Sequence, residues 1–256
     1  MKVAPARRAA AFPETEPRQR FLTVCAWGVH AYTALGAVLG LLSIEYAAQF
    51  DFRASFGAMA LAIVIDSSDG FLARAVNIRQ RLPLFDGALL DNVVDYLTYV
   101  LAPVFLMLRA GILLHGGAGL ALGSLVMLAS AYGFCRIDAK TEDHYFLGFP
   151  SYWNMVAFYL FCLHLSPTAN SAIVVAFAAM VFVPIKYIYP SRTVPLRLLT
   201  MTLGIIWGVV TVAMLPMLPA VSPVLLYVSL SYIVYYFVVS FALHGREVLA
   251  RERGTT

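Results

Sequence analysis

The chain has 256 residues, 61% of them apolar and only 12% charged, with a mean hydropathy of +0.79. That balance excludes an ordinary water-soluble globular domain. The net charge of +4 comes without a nucleic-acid-binding fold or patch, so anionic lipid, and no nucleic acid, is the expected counterpart.

The first 20 residues are basic and contain Pro5, Pro13 and Pro17 but no apolar run. They are therefore not a cleavable signal peptide, and read as an interfacial helix or a disordered cytoplasmic arm. The apolar residues that follow fall into eight runs, each near the length that spans ~30 Å of hydrocarbon. They cover residues 22–48, 55–77, 86–108, 115–135, 147–166, 170–188, 196–216 and 222–243. The pattern predicts an all-α polytopic membrane bundle of about eight transmembrane helices. One membrane domain covers residues 21–245, and a cytoplasmic tail covers 246–256. With the N-terminus in the cytoplasm, every Lys and Arg except Arg53 and Arg109 falls on the cytoplasmic side. That asymmetry orients the bundle in a cytoplasmic membrane with both termini inside. Cys25, Cys135 and Cys162 stand singly in or beside apolar runs and read as small buried hydrophobes. His30, inside the first run, reads as a packing histidine.

Between the second and third runs lies DSSDGFLARAVNIRQRLPLFDGALLDNVVD, residues 66–95, which holds Asp66, Asp69, Asp86, Asp91 and Asp95. Carboxylates at membrane depth are costly and mark a functional site. On helices, Asp66 and Asp69 are three apart, and Gly87, Asp91 and Asp95 are spaced by four, so each set shares one face. Two such helices aim four carboxylates at one point on the cytoplasmic side, an arrangement that calls for divalent cations. Asp86 reads as the residue that starts the second of these helices. Arg74, one turn past Gly70, suits a phosphate or a neighbouring Asp.

The loop after the fourth run, CRIDAKTEDHYFLGFPSYWN, mixes charges with aromatics. It reads first as an interfacial aromatic belt with solvated charges, and second as a site for a quaternary ammonium held by cation–π contacts and a carboxylate. The tyrosines of the last run read as packing and interfacial anchors.

Residues 66–95 resemble the signature of the CDP-alcohol phosphotransferase family, Dx2DGx2ARx8Gx3Dx3D, with Asp66, Asp69, Gly70, Ala73, Arg74, Gly87, Asp91 and Asp95 all in place. Twelve residues rather than eight separate Arg74 from Gly87, a spacing similar to that of bacterial phosphatidylcholine synthases. TEDHYFLGFPSYWNMVAFYL and the eight-helix layout are similar to that subfamily too. The resemblance implies a six-helix core plus two helices, and transfer of a phosphatidyl group from CDP-diacylglycerol to choline with release of CMP. It also implies Mn²⁺ or Mg²⁺, two per site, and a homodimer. In its terms Asp66, Asp69, Asp91 and Asp95 hold the metals, and Asp95 also serves as base. Asp66, Gly70, Ala73, Arg74 and Gly87 line the CDP pocket. Glu142, Tyr145, Tyr152, Trp153 and Asn154 become candidates for the choline ammonium. The same chemistry on serine, glycerol phosphate or inositol phosphate is the alternative, with Arg136 and Lys140 the tempting pair for a phosphorylated acceptor. A cation transporter is a different reading, which polar residues at several bilayer depths would favour. The outer halves of these helices offer almost none.

Overall fold

The computed structural model describes residues 17–190 and 192–252. The N-terminal arm lies outside these residues except for its last four, which open the first helix. The last four residues of the C-terminal tail lie outside them too.

Helix α1 (Pro17–Ala48) turns through Asp51 into α2 (Phe52–Ala75). The Asp51 carboxylate caps α2 by accepting from the Ala54 N–H at 3.0 Å. A short helix, α3 (Ile78–Arg81), leads to α4 (Gly87–Asp95). From there a π-helical stretch, Tyr96–Leu101, runs on into α5 (Ala102–Arg109). Then come α6 (Gly116–Cys135), β1 (Tyr145–Leu147), α7 (Trp153–Leu163), α8 (Pro167–Met180), β2 (Lys186–Ile188), α9 (Arg197–Met214) and α10 (Pro223–Glu252). Small residues let α1 lie close to α4 and to the π-helical stretch that follows it. A Cβ on Gly36 would stand 2.5 Å from Val94, and one on Gly40 2.7 Å from Leu97.

Among the described residues six helices are long and apolar enough to cross a membrane: α1, α2, α4 through α5, α6, α9 and α10. The chain is a multi-pass, all-α membrane protein. Helices α7 and α8 occupy the fifth and sixth apolar runs but have 11 and 14 residues, about 16 and 21 Å. The reason is visible at both ends. The Trp153 indole N–H donates to Ser130 Oγ at 2.7 Å. Ser130 is five residues before the end of α6, so α7 starts about 7 Å inside the bundle. At the other end, Asn170 Nδ2 donates to the Ile112 carbonyl at 3.0 Å and the Leu114 N–H to Ser171 Oγ at 3.2 Å, tying α8 to the α5–α6 loop.

The residues displaced from these two helices form the antiparallel β1–β2 pair, Tyr145 opposite Ile188 and Leu147 opposite Lys186. The pair leans on α10, where the Ile188 N–H donates to Ser240 Oγ at 3.1 Å. Lys186 is held between Asp143 and Glu247, at 2.7 Å from each. Burial alone would lower its ammonium, but these two carboxylates outweigh burial and hold it above its ordinary value. Apolar periodicity cannot register such a pair, because its side chains are as apolar as those of a buried helix. Of the cysteines, Cys162 is buried, Cys25 half-buried and Cys135 exposed at the end of α6, which corrects the expectation of three buried thiols.

Candidate active site

Helix α2 supplies Asp66 and Asp69, and α4 supplies Asp91 and Asp95. Carboxylate oxygens of Asp66, Asp91 and Asp95 all lie within 4.8 Å of one another. Asp66 Oδ2 also accepts from the Tyr99 hydroxyl at 2.7 Å. Tyr99 lies in the π-helical stretch, a local widening of the turn that recurs at functional sites. Asp69 stands outside this trio. It is buried, and its Oδ2 accepts from the Thr33 hydroxyl of α1 at 2.7 Å. Asp86 caps α4 as its position suggests, accepting from the Ala88 and Leu89 N–H groups, both at 3.0 Å. None of the ion pairs among the described residues reaches the trio. Three close carboxylates outside every one of those pairs, with Lys140 the one described cation acting on them, form a hard-oxygen donor set that a divalent cation fits.

Asp66 and Asp91 of the trio, with Asp69, stand on the wall of a cavity of about 940 Å³, and Asp95 lies behind them, off the lining. Gly70 and Arg74 line the cavity, with Ala73 half-buried beside them on α2. Gly87 faces elsewhere, since a Cβ there would meet the His30 ring at 2.6 Å. His30 is buried against Phe85, ring centroids 4.3 Å apart, with Nε2 unpaired. The lengthened Arg74–Gly87 segment becomes α3, four residues long, and brings Arg79 to the cavity wall. Lys140 and Arg192 line the same wall. Arg136 does not join them in an obvious role: it grips Asp138 at 2.9 and 2.7 Å. That hydrogen-bonded pairing holds the Asp138 carboxyl below its ordinary range.

Of the five residues considered for an ammonium, Tyr152 lines the cavity, its ring 6.0 Å from Tyr99 and 6.3 Å from Phe146. Trp153 is fully buried, edge-on to Phe149 and bound to Ser130. Asn154 is buried with its Oδ1 on the Met155 N–H at 2.8 Å. Tyr145 is buried beneath the Lys186 ammonium, 5.4 Å from its ring centre, and Glu142 is exposed. The aromatic wall is completed by Tyr99 and Tyr189, which sequence reasoning did not single out, and by Tyr232 and Tyr236, which it read as packing and interfacial anchors. For Tyr99 a signal existed, because it follows Asp95 by four and so shares its helix face.

No protein-family model matches the chain. Three curated relatives carry the name phosphatidylcholine synthase. The protein of Legionella pneumophila is 37% identical over 222 residues, 84% of this chain and 87% of its own length. That of Legionella bozemanae is 39% identical over 80% of this chain and 97% of its own. That of Bradyrhizobium diazoefficiens is 36% identical over 94% and 88%.

Proposed function

Since the chain belongs to the phosphatidylcholine synthase family, we propose that this phosphatidyltransferase condenses CDP-diacylglycerol with choline at the Asp66–Asp91–Asp95 cluster, giving phosphatidylcholine and CMP. The observation that carries the reading is the convergence of those three carboxylates, Asp66 and Asp91 on the cavity wall itself.

Asp66, Asp91 and Asp95, with Asp69 beside them, hold Mn²⁺ or Mg²⁺, two ions per site. Once bound, such ions supply positive charge that stabilises the diphosphate and the departing CMP. Arg74, Arg79, Lys140 and Arg192, all on the cavity wall, bind the nucleotide and its diphosphate by charge-assisted hydrogen bonds. Gly70 leaves room for that part of the donor beside α2. The Tyr99 hydroxyl, bonded to Asp66, fixes the carboxylate that the donor meets. The choline ammonium packs on aromatic faces, with Tyr152 central among Tyr99, Tyr189 and Tyr232. Its hydroxyl then points at the phosphorus nearer the diacylglycerol. Asp95 accepts the hydroxyl proton as the new O–P bond forms and the bond to the CMP oxygen breaks. The alcohol attacks directly, so no covalent enzyme intermediate is needed. The carboxylates face the cytoplasm, both termini lie on that side, and the enzyme works as a homodimer.

The test uses purified full-length protein in detergent with CDP-diacylglycerol and Mn²⁺. Choline, serine, glycerol 3-phosphate and inositol phosphate are offered separately and CMP is measured. Release with choline alone, abolished by a chelator, is the expected result. Release with a different alcohol instead would overturn the choline assignment while keeping the transfer chemistry. No release with any of them would overturn the enzyme reading of the site and return cation transport to consideration.

A further inference from the structure

Below the carboxylates the cavity continues as an apolar arm. Tyr152, Met155, Val156, Tyr159, Leu160 and Leu163 all line it. Their spacing is one unbroken face along the whole of α7, about 16 Å. Phe177 of α8 and Ile233 and Phe237 of α10 close the other sides. Helices α7 and α10 both line the arm here. Tyr159, seven residues past Tyr152, hydrogen-bonds Ser229, seven residues before Tyr236. The polar groups at that depth are mutually satisfied, since the Trp207 indole N–H donates to the Tyr159 hydroxyl at 2.7 Å and Thr211 pairs with Ser229 at 3.2 Å. No polar group there asks for a polar ligand. One group at the top does: the Tyr236 hydroxyl is buried, on the cavity wall and without a partner.

We propose that this arm holds one acyl chain of the lipid donor inside the bundle, with the Tyr236 hydroxyl donating to the ester carbonyl at the root of that chain. The proposal rests on the reading of the cluster as the site of phosphatidyl transfer. It commits to the donor, rather than to a bystander lipid of the bilayer, because head and arm are one cavity. Asp66, Asp91, Tyr236 and the apolar face of α7 all stand on the wall of that cavity. The C-terminal helix α10 thereby becomes a wall of the substrate site.

The test compares CDP-diacylglycerol donors with two hexanoyl and two palmitoyl chains at saturating choline, in mixed micelles of fixed composition. In the wild type KM is expected to fall at least about tenfold from the short donor to the long one. Val156→Trp and Leu160→Trp fill the arm and are expected to erase most of that ratio. Leu163→Phe, a milder change at the far end, is expected to reduce the ratio partially and covers the case in which the Trp variants do not fold. A dialkyl ether donor tests the carbonyl. Tyr236→Phe is expected to raise KM for the ester donor severalfold and to leave KM for the ether donor as in the wild type. A folded filling variant that keeps the wild-type chain-length ratio would overturn the proposal, even with choline-dependent CMP release intact. A wild type that releases no CMP with choline from either donor would overturn the parent reading instead.

Discussion

At its head the cavity is walled by α2 and α4, with Asp66, Asp69 and Asp91 on the wall and all four carboxylates of the cluster drawn from 30 consecutive residues. Along its arm the wall comes from α7, α8 and α10, spread from Met155 to Phe237. The head concentrates charge by local helical spacing, and its geometry is a matter of single atoms within 4.8 Å. The arm is apolar and holds its shape through long-range packing, including the β1–β2 pair wedged against α10. Chemistry at the head should therefore respond sharply to loss of one oxygen, whereas the arm should respond gradually to volume.

The sharpest break of that contrast is at the carboxylates. Asp91→Ala is expected to abolish choline-dependent CMP release while the protein still inserts and elutes as the wild type does. Asp95→Asn, which keeps the shape but cannot take a proton, is expected to lower kcat by roughly 10²–10⁴-fold. Wild-type turnover in either variant, measured by CMP release, would remove that residue from the chemistry. Next in size is Tyr99→Phe, which deletes the hydroxyl on Asp66. Outer-sphere partners of this kind change metal affinity by about 10–100-fold. The Mn²⁺ concentration for half-maximal rate should rise by that factor, with a matching loss of Mn²⁺ binding by calorimetry in the absence of substrate. An unchanged metal requirement would make Tyr99 a packing residue only.

This same contrast explains what could be read from the chain. The helix pair with Asp66, Asp91 and Asp95 was legible because i, i+3 and i, i+4 spacing fixes a helix face without knowledge of the fold. The all-α membrane bundle was legible from run length. The role of α3 was not, since a spacing of twelve residues says that a turn is added and not where Arg79 points. Nor was the split within the aromatic loop: Tyr152 faces the cavity and Trp153, its neighbour, faces Ser130. Adjacent residues at a helix start point in different directions, and which one meets the site depends on where α6 packs. Tyr232 and Tyr236 are four apart on one face, but the wall they join is formed by α7, some 80 residues away, so nothing local assigns them to it.

That neighbouring pair sharpens the comparison at intermediate size. Tyr152→Leu removes an aromatic face worth about 0.5–2 kcal/mol to a cation. KM for choline should rise about 2–30-fold, with KM for the lipid donor much less affected. Trp153→Phe loses the hydrogen bond to Ser130, worth about 1 kcal/mol. It should lower thermal stability and change both KM values together. Equal shifts in the two KM values for Tyr152→Leu would place the ammonium elsewhere.

The smallest effect is expected where the arm is braced rather than lined. Lys186 ties β2 to Asp143 and to Glu247 on α10, and these partly exposed pairs are worth about 0–1 kcal/mol each. Burial raises the Asp143 carboxyl, but hydrogen bonds from Lys186 and Thr141 together with the Lys186 charge outweigh this and leave it below its ordinary value. Because that folded value is depressed, the stabilisation is fully present at neutral pH and fades as the pH falls through the lowered carboxyl range. Lys186→Met should therefore lower Tm slightly at pH 7, and the difference from the wild type should shrink on acidification. With α10 less firmly held, discrimination between short- and long-chain donors should weaken while the metal requirement of the head stays as it was. A change in metal requirement on loosening α10 would mean that head and arm are not mechanically separate, and that is the outcome that would undo the comparison.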